Sequence, residues 1–287
     1  MVSAFCPGHI TCFFTPAGDL SADLLSCGSL GAGIRTSLGA FADVHERSGT
    51  RTVMDGNETD LPVTSRVLEL LAPGRGFDVS VENGLPCGEG FGMSAAGAVA
   101  VALAVADICG IGKQEAFEAA HKAEILGGGG LGDVSALYCL GHQPVRVKEG
   151  IPPYGEVIPT GVEFKQLTLA VLGPKMHTGS VLSDPVRVSA ISNAGRRAVK
   201  EYLVKPDLGK LYGLSNRFSV EAGVECAEVS DALSKLHAEG YRAAMCMLGN
   251  SIFTDAPETE AESLLGPGAN IFSCSSTDKS AGITHRV

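Results

Sequence analysis

The period of apolar and polar positions changes several times along the 287 residues, and each change marks an element. Short apolar runs predict strands around Phe5 and over residues 10–14, separated by a Pro7-Gly8 turn. Alternation predicts another strand over 76–81, ahead of an Asn83-Gly84 turn. Residues 95–106 are apolar on every side; too short for a bilayer, they read as a buried helix that begins near Ser94. A second helix is predicted over 113–126, stopped by the glycines at 127–130. The chain then passes Val145-Arg146-Val147 and reaches Gly150-Ile151-Pro152-Pro153-Tyr154-Gly155, where paired prolines among glycines interrupt any regular element. Beyond it the pattern predicts a strand over 166–172, helices over 192–204, 207–218 and 230–238, and strands over 243–248 and 251–254 around a Gly249-Asn250 turn. This order specifies an α+β class in two domains, 1–155 and 156–287, with no internal repeat of fixed period.

With 45% hydrophobic residues the chain can bury a core without staples. The 22 basic residues against 32 acidic ones leave a formal charge of −10, and no Lys/Arg cluster interrupts it. Nucleic acid and anionic membrane surfaces are therefore poor partners, and a small molecule is the expected one. No secretory signal is visible, so the cytoplasm is the expected location. The nine cysteines are odd in number and include no C-x-x-C pair, which matches neither a zinc nor a disulfide framework; they read as reduced core thiols. Cys87 stands apart because it lies in a loop whose positive potential would lower its pKa.

That loop, Pro86-Cys87-Gly88-Glu89-Gly90-Phe91-Gly92-Met93-Ser94-Ala95-Ala96, carries alternate glycines straight into the alanine-rich helix. Such spacing removes the side chains that would hold a polyphosphate away, and the helix start turns its N–H groups and positive dipole end toward the anion. A Walker loop would need Lys then Ser or Thr where Met93 and Ser94 stand, and a dinucleotide fingerprint would need glycine at Met93. Ser94 is open to two roles, an N-cap or a ligand to phosphate and magnesium.

A second constellation is His121, Glu124 and Asp133. His121 and Glu124 share a helix face, and Asp133 follows the glycine run. Phosphoryl transfer needs oxygen ligands for a metal, a cradle for the donor phosphates, and a group that orients or deprotonates the attacking hydroxyl. Ser94 and Glu124 can supply the first, the glycine loop the second and Asp133 the third.

The glycine loop resembles the second motif of the GHMP kinases, and an acidic helix residue followed by a glycine-rich turn and an Asp resembles the part of that superfamily that holds magnesium and the catalytic Asp. The first motif appears as Cys6-Pro7-Gly8-His9-Ile10-Thr11-Cys12-Phe13-Phe14, with His9 in place of the usual Lys; the third would be Met245-Cys246-Met247-Leu248-Gly249-Asn250-Ser251-Ile252-Phe253, poor in glycine. The departure in the first motif, where no Gly-Glu-His follows either, speaks against galactokinase and mevalonate kinase. Together with Gly28-Ser29-Leu30-Gly31-Ala32-Gly33 and His121-Lys122-Ala123-Glu124 both departures are similar to the archaeal pantoate kinase branch. The resemblance implies a ribosomal protein S5 domain 2-like N-terminal domain and a ferredoxin-like C-terminal domain with the active site between them. It also implies ATP and Mg2+ as cofactors, pantoate as substrate and coenzyme A biosynthesis as the setting.

By that match Asp133 is the base and Glu124 the metal ligand, with Ser94 beside it. A pantoate carboxylate calls for Arg or hydroxyl donors, for which Arg146 and Ser29 are candidates, with Arg35 competing with Arg146. The resemblance adds His121 as a substrate contact. Arg146 is also readable as an outward strand residue, His121 as a core histidine, Ser29 as a turn residue and His9 as structural. Lys175 and Thr178 are candidates for a loop over the donor phosphates. Another GHMP kinase such as homoserine kinase, and a non-catalytic ligand sensor of the same fold, are the competing functions, and a homodimer is left open.

Overall fold

A computed structural model of the chain describes residues 1–18, 23–128, 130–174 and 185–286. Its first sheet grows from one long hairpin. Strands β1 (Val2–Ala17) and β2 (Gly28–Arg47) pair antiparallel from Val2↔Val44 to Ala17↔Gly28. The Pro7-Gly8 pair expected to turn the chain sits inside β1, at a shift of register. Proline lacks the N–H that a ladder needs, and a bulge is where a strand tolerates it, so a bulge here has the composition of a turn.

The hydrophobic pattern also missed a small hairpin, β3 (Arg51–Met54) and β4 (Asn57–Glu58). Asp55 and Gly56 close it with φ of 50° and 79°, the left-handed pair of a tight turn. Helix α1 (Pro62–Leu71) begins at proline and packs on helix α2 (Met93–Cys109). Strand β5 (Gly76–Asn83) returns beside β2 and leads to α2, whose residues 95–106 are all buried. Alanine and valine keep α2 slim, so β1, β2, α1 and α3 (Lys113–Leu126) all pack against it.

After the short α4 (Asp133–Tyr138) come β6 (Gln143–Lys148), paired with β2, and β7 (Glu156–Thr160), paired with β6. The 150–155 segment, read from sequence as the domain boundary, is thus a connection inside the first sheet. The chain changes sheets between β7 and β8 (Leu167–Val171).

Helices α5 (Pro185–Val204), α6 (Leu208–Ala222) and α7 (Ala227–Ala238) follow, then β9 (Ala243–Met245), β10 (Ser251–Thr254), α8 (Glu258–Leu265) and β11 (Asn270–Cys274). The second sheet has the order β11-β8-β10-β9 with all neighbours antiparallel, which is the ferredoxin-like arrangement. β9 ends three residues earlier than expected because 246–250 form its turn, with Leu248 at φ 65°. Finally β12 (Gly282–Arg286) crosses back to pair with β1. None of the described helices is long and apolar enough to cross a membrane, and none of the nine cysteines is disulfide-bonded.

Candidate active site

The loop into α2 turns through three left-handed glycines. Gly88, Gly90 and Gly92 have φ of 82°, 79° and 64°, a region that side chains make costly, and such alternation curls successive N–H groups onto one concave face. α2 starts at Met93, and its first internal bond runs from Ala96 N to Gly92 O (2.9 Å). The N–H groups of Met93, Ser94 and Ala95 therefore have no acceptor within the helix, and Gly92 has no side chain to cap them. They form a positive end that suits an anion. Ser94 is not the cap: its hydroxyl donates to Glu124 Oε2 at 3.1 Å.

A cavity of about 240 Å³ opens beside this helix end. From the loop, Gly88, Gly90, Gly92, Met93 and Ser94 line it. Glu89, Phe91, Ala95 and Ala96 are buried and form the back of the loop, and Pro86 is half-buried at its entry. The opposite wall carries Ser29, Glu124, Asp133 and Arg146, brought from β2, α3, α4 and β6. Gly130 and Gly132 line it beside Asp133, and Thr11, Phe14, Leu131, Met247 and Leu248 complete it, five residues to which the sequence assigned no individual role.

Glu124 and Asp133 respond to their surroundings in opposite directions. Burial, and then the negative charge of Asp133, push Glu124 up to about 7, against hydrogen bonds from the Ser94 hydroxyl and from Gly130 N–H (3.0 Å). Burial alone would raise Asp133 too. The hydrogen bond from His9 Nδ1 (2.6 Å), the Arg146 charge and the Thr11 hydroxyl (3.4 Å) outweigh it and hold Asp133 below its ordinary value. Asp133 is therefore the ionised member, 23% exposed in the cavity it lines. Burial keeps the wholly buried His9 below its ordinary value, so its ring is neutral and Nδ1 carries the proton that Asp133 accepts.

Ser94 and Glu124 fit a hard divalent cation. Their facing oxygens are the right donor type, and a cation there would relieve the repulsion that raises Glu124. Among the described residues no group of three or more His, Cys, Asp or Glu could hold a metal. The arrangement that fits is two protein oxygens completed by phosphate oxygens and water.

Arg146 is buried, not turned to solvent as its place between valines suggested, because β6 is flanked by β2 and β7 and covered by α4. Its Nε donates to Ser29 O at 3.2 Å, and its Nη1 has no hydrogen-bond partner among the described residues. A Cβ on Gly132 would lie 2.3 Å from Ser29 Oγ and 2.5 Å from Arg146 Nε, so only glycine at 132 leaves both groups in the cavity. The competing Arg35 is buried elsewhere, with Nη1 donating to Gly141 O (3.1 Å) and Nη2 to Lys279 O. His121 does not line the cavity. Its Nε2 serves the carbonyls of Leu24 and Cys27, both at 3.1 Å, so it braces the chain just before Ser29. Burial lowers its pKa and keeps the ring neutral. Cys87 is half-buried outside the cavity lining, and Lys175 and Thr178 lie outside the described residues.

A glycine cradle at a helix end, two carboxylates and a small cavity between them define a small-molecule phosphotransferase. The model of the GHMP kinase N-terminal domain matches residues 62–141, and the chain belongs to the GHMP kinases, whose phosphoryl donor is ATP. The α+β class and the superfamily fold expected from sequence are borne out. A pantoate kinase of Thermococcus kodakarensis is 33% identical, over 91% of this chain and 90% of its own length. A pantoate kinase of Methanocaldococcus jannaschii is 28% identical over 94% of this chain and 98% of its own. A solved structure described as a phosphotransferase related to the CoA biosynthesis pathway superposes with a TM-score of 0.85 at 29% identity, covering 99% of this chain and 98% of that one.

Proposed function

We propose that the protein transfers the γ-phosphoryl group of ATP to the primary hydroxyl of pantoate, yielding 4-phosphopantoate on the route to coenzyme A. The observation that carries this reading is one cavity holding an uncapped helix end and glycine nest, a buried guanidinium whose Nη1 has no partner among the described residues, and an ionised Asp133. Pantoate offers a carboxylate, a 2-hydroxyl, a gem-dimethyl carbon and the primary hydroxyl. Arg146 and the Ser29 hydroxyl suit the carboxylate, while Phe14, Leu131, Met247 and Leu248 offer an apolar wall to the methyl groups.

The loop amides receive the donor phosphates, and Asp133 accepts a hydrogen bond from the attacking hydroxyl. Because the carboxyl is held below its ordinary value, it is a weak base. Holding the hydroxyl in line is its main contribution, with the proton passing to it as the oxygen–phosphorus bond forms. Magnesium, which fits Ser94 and Glu124, neutralises phosphate charge when bound. Homoserine would bring an ammonium toward the Arg146 cation, which disfavours it.

The test is ADP formation from ATP and magnesium, with pantoate, homoserine, mevalonate and galactose supplied separately. Pantoate should be turned over far faster than the others. Preference for homoserine would overturn the substrate, and ADP formation indifferent to every alcohol would overturn the kinase reading itself.

A further inference from the structure

His9 touches both halves of the site. Its backbone N–H donates to the Phe91 carbonyl (3.0 Å), and Gly92 packs so close that a Cβ there would lie 2.7 Å from the His9 carbonyl oxygen. From the same residue the ring reaches Asp133 Oδ1 at 2.6 Å. Its Nε2 has no hydrogen-bond partner among the described residues and faces Gly33, where a Cβ would sit 2.1 Å away. A fully buried imidazole clamped between glycine backbone and a carboxylate has one tautomer and one orientation open to it.

We propose that His9 is a positioning residue that fixes the Asp133 carboxylate relative to the phosphate loop, so that one residue sets the distance between acceptor hydroxyl and phosphoryl donor. This rests on the phosphoryl-transfer reading above. The other groups facing Asp133 direct it less. The Thr11 hydroxyl is at 3.4 Å, while Arg146 from β6 and Glu124 from α3 act through charge. A lysine at position 9, the usual residue of the first motif, would bring charge on a flexible stem; a neutral ring brings direction without charge. In-line transfer is sensitive to displacements of about an ångström, which makes direction the more valuable contribution.

Two variants separate this role from packing. His9→Phe keeps a ring against Gly33 and removes the donor, whereas His9→Asn keeps an amide N–H near the place of Nδ1. His9→Phe should lower kcat by about ten- to a hundredfold, the scale of a lost hydrogen bond to a charged group, with the KM for ATP within about twofold. His9→Asn should recover most of kcat. Wild-type kcat in His9→Phe, equal losses in both variants, or a change confined to the KM for ATP would each overturn the proposal. Turnover is read on whichever alcohol the wild type phosphorylates, so failure of pantoate alone counts against the substrate and leaves this comparison standing. Nitrogen NMR of the histidine rings gives a readout independent of turnover. His9 should show a protonated Nδ1 and a bare Nε2, altered in Asp133→Ala; a ring protonated at Nε2, or one indifferent to Asp133→Ala, contradicts the assignment.

Discussion

Glu124→Gln should make the metal-free protein more stable while removing its activity. Glu124 is buried beside Asp133, and its carboxyl is raised from an ordinary 4.5 to about 7. A carboxyl raised in the folded state binds its proton more tightly there than in the unfolded chain, so stability falls as pH rises from the unfolded value toward the folded one. Ionising Glu124 then costs about 1 kcal/mol at pH 5 and about 3 kcal/mol at pH 8, taking about 1.4 kcal/mol per pKa unit. Glutamine keeps the shape and both hydrogen bonds: its Oε1 accepts from Gly130 N–H and its Nε2 donates to Ser94 Oγ. Urea unfolding in chelator at pH 5 and pH 8 measures the effect, compared between variant and wild type at each pH. The comparison is needed because burial lowers His9 and His121, which gives a stability that rises with pH and opposes the Glu124 trend in the wild-type profile. The variant should gain about 2 kcal/mol more at pH 8 than at pH 5. A variant destabilised at pH 8, or a gain independent of pH, would refute the account of two carboxylates kept apart in charge.

Asp133→Asn should bind nucleotide nearly normally, checked by equilibrium titration, and lose turnover by about 10²–10⁴-fold, the usual scale of a positioned proton acceptor. Ser94→Ala should shift the magnesium dependence of activity to higher concentration, because an oxygen beside Glu124 is lost. Arg146→Ala should raise the KM for pantoate about ten- to a hundredfold with little change for ATP, the equivalent of about 1.5–3 kcal/mol for a charge-assisted hydrogen bond. Leu248→Gly suits the left-handed φ of 65° and should leave thermal unfolding nearly unchanged. In steady-state comparison it should cut the preference for pantoate over unbranched 2,4-dihydroxybutyrate by about tenfold, at ~0.8 kcal/mol for each methyl-sized group buried.

The parts of the site that backbone chemistry dictates left a trace in the sequence. Gly88, Gly90 and Gly92 are glycine because their φ values demand it, and Glu124 and Asp133 flank a glycine run whose compactness brings both acids to one cavity. The apolar wall left no chemical sign of its role, although Phe14 lies in the first motif stretch and Met247 and Leu248 in the third. Phe14, Leu131, Met247 and Leu248 have the composition of any core segment, and only the meeting of β1, the turn before α4 and the β9–β10 turn makes them a wall. Arg35 and Arg146 are both arginines in strands, and what separates them is distant in sequence: Lys279 near one, Ser29 and Gly132 near the other. His121 shares a helix face with Glu124, yet the 3₁₀ turn at Leu24–Ser26 and Cys27 takes its ring nitrogen. The return of β12 to β1 and the burial of Pro7 in a bulge are likewise set by partners that no local pattern encodes.

The most direct test of phosphoryl transfer to the primary hydroxyl is phosphorus NMR of the product formed from ATP, magnesium and pantoate. A phosphate on the primary hydroxyl couples to two equivalent-type methylene protons and gives a triplet-like signal, which is the expected result. A doublet, from phosphate on the 2-hydroxyl, or an uncoupled acyl phosphate would contradict the assignment of Asp133 to the primary hydroxyl and of Arg146 to the carboxylate, and no new phosphorus signal beyond ADP and inorganic phosphate would contradict the transfer itself.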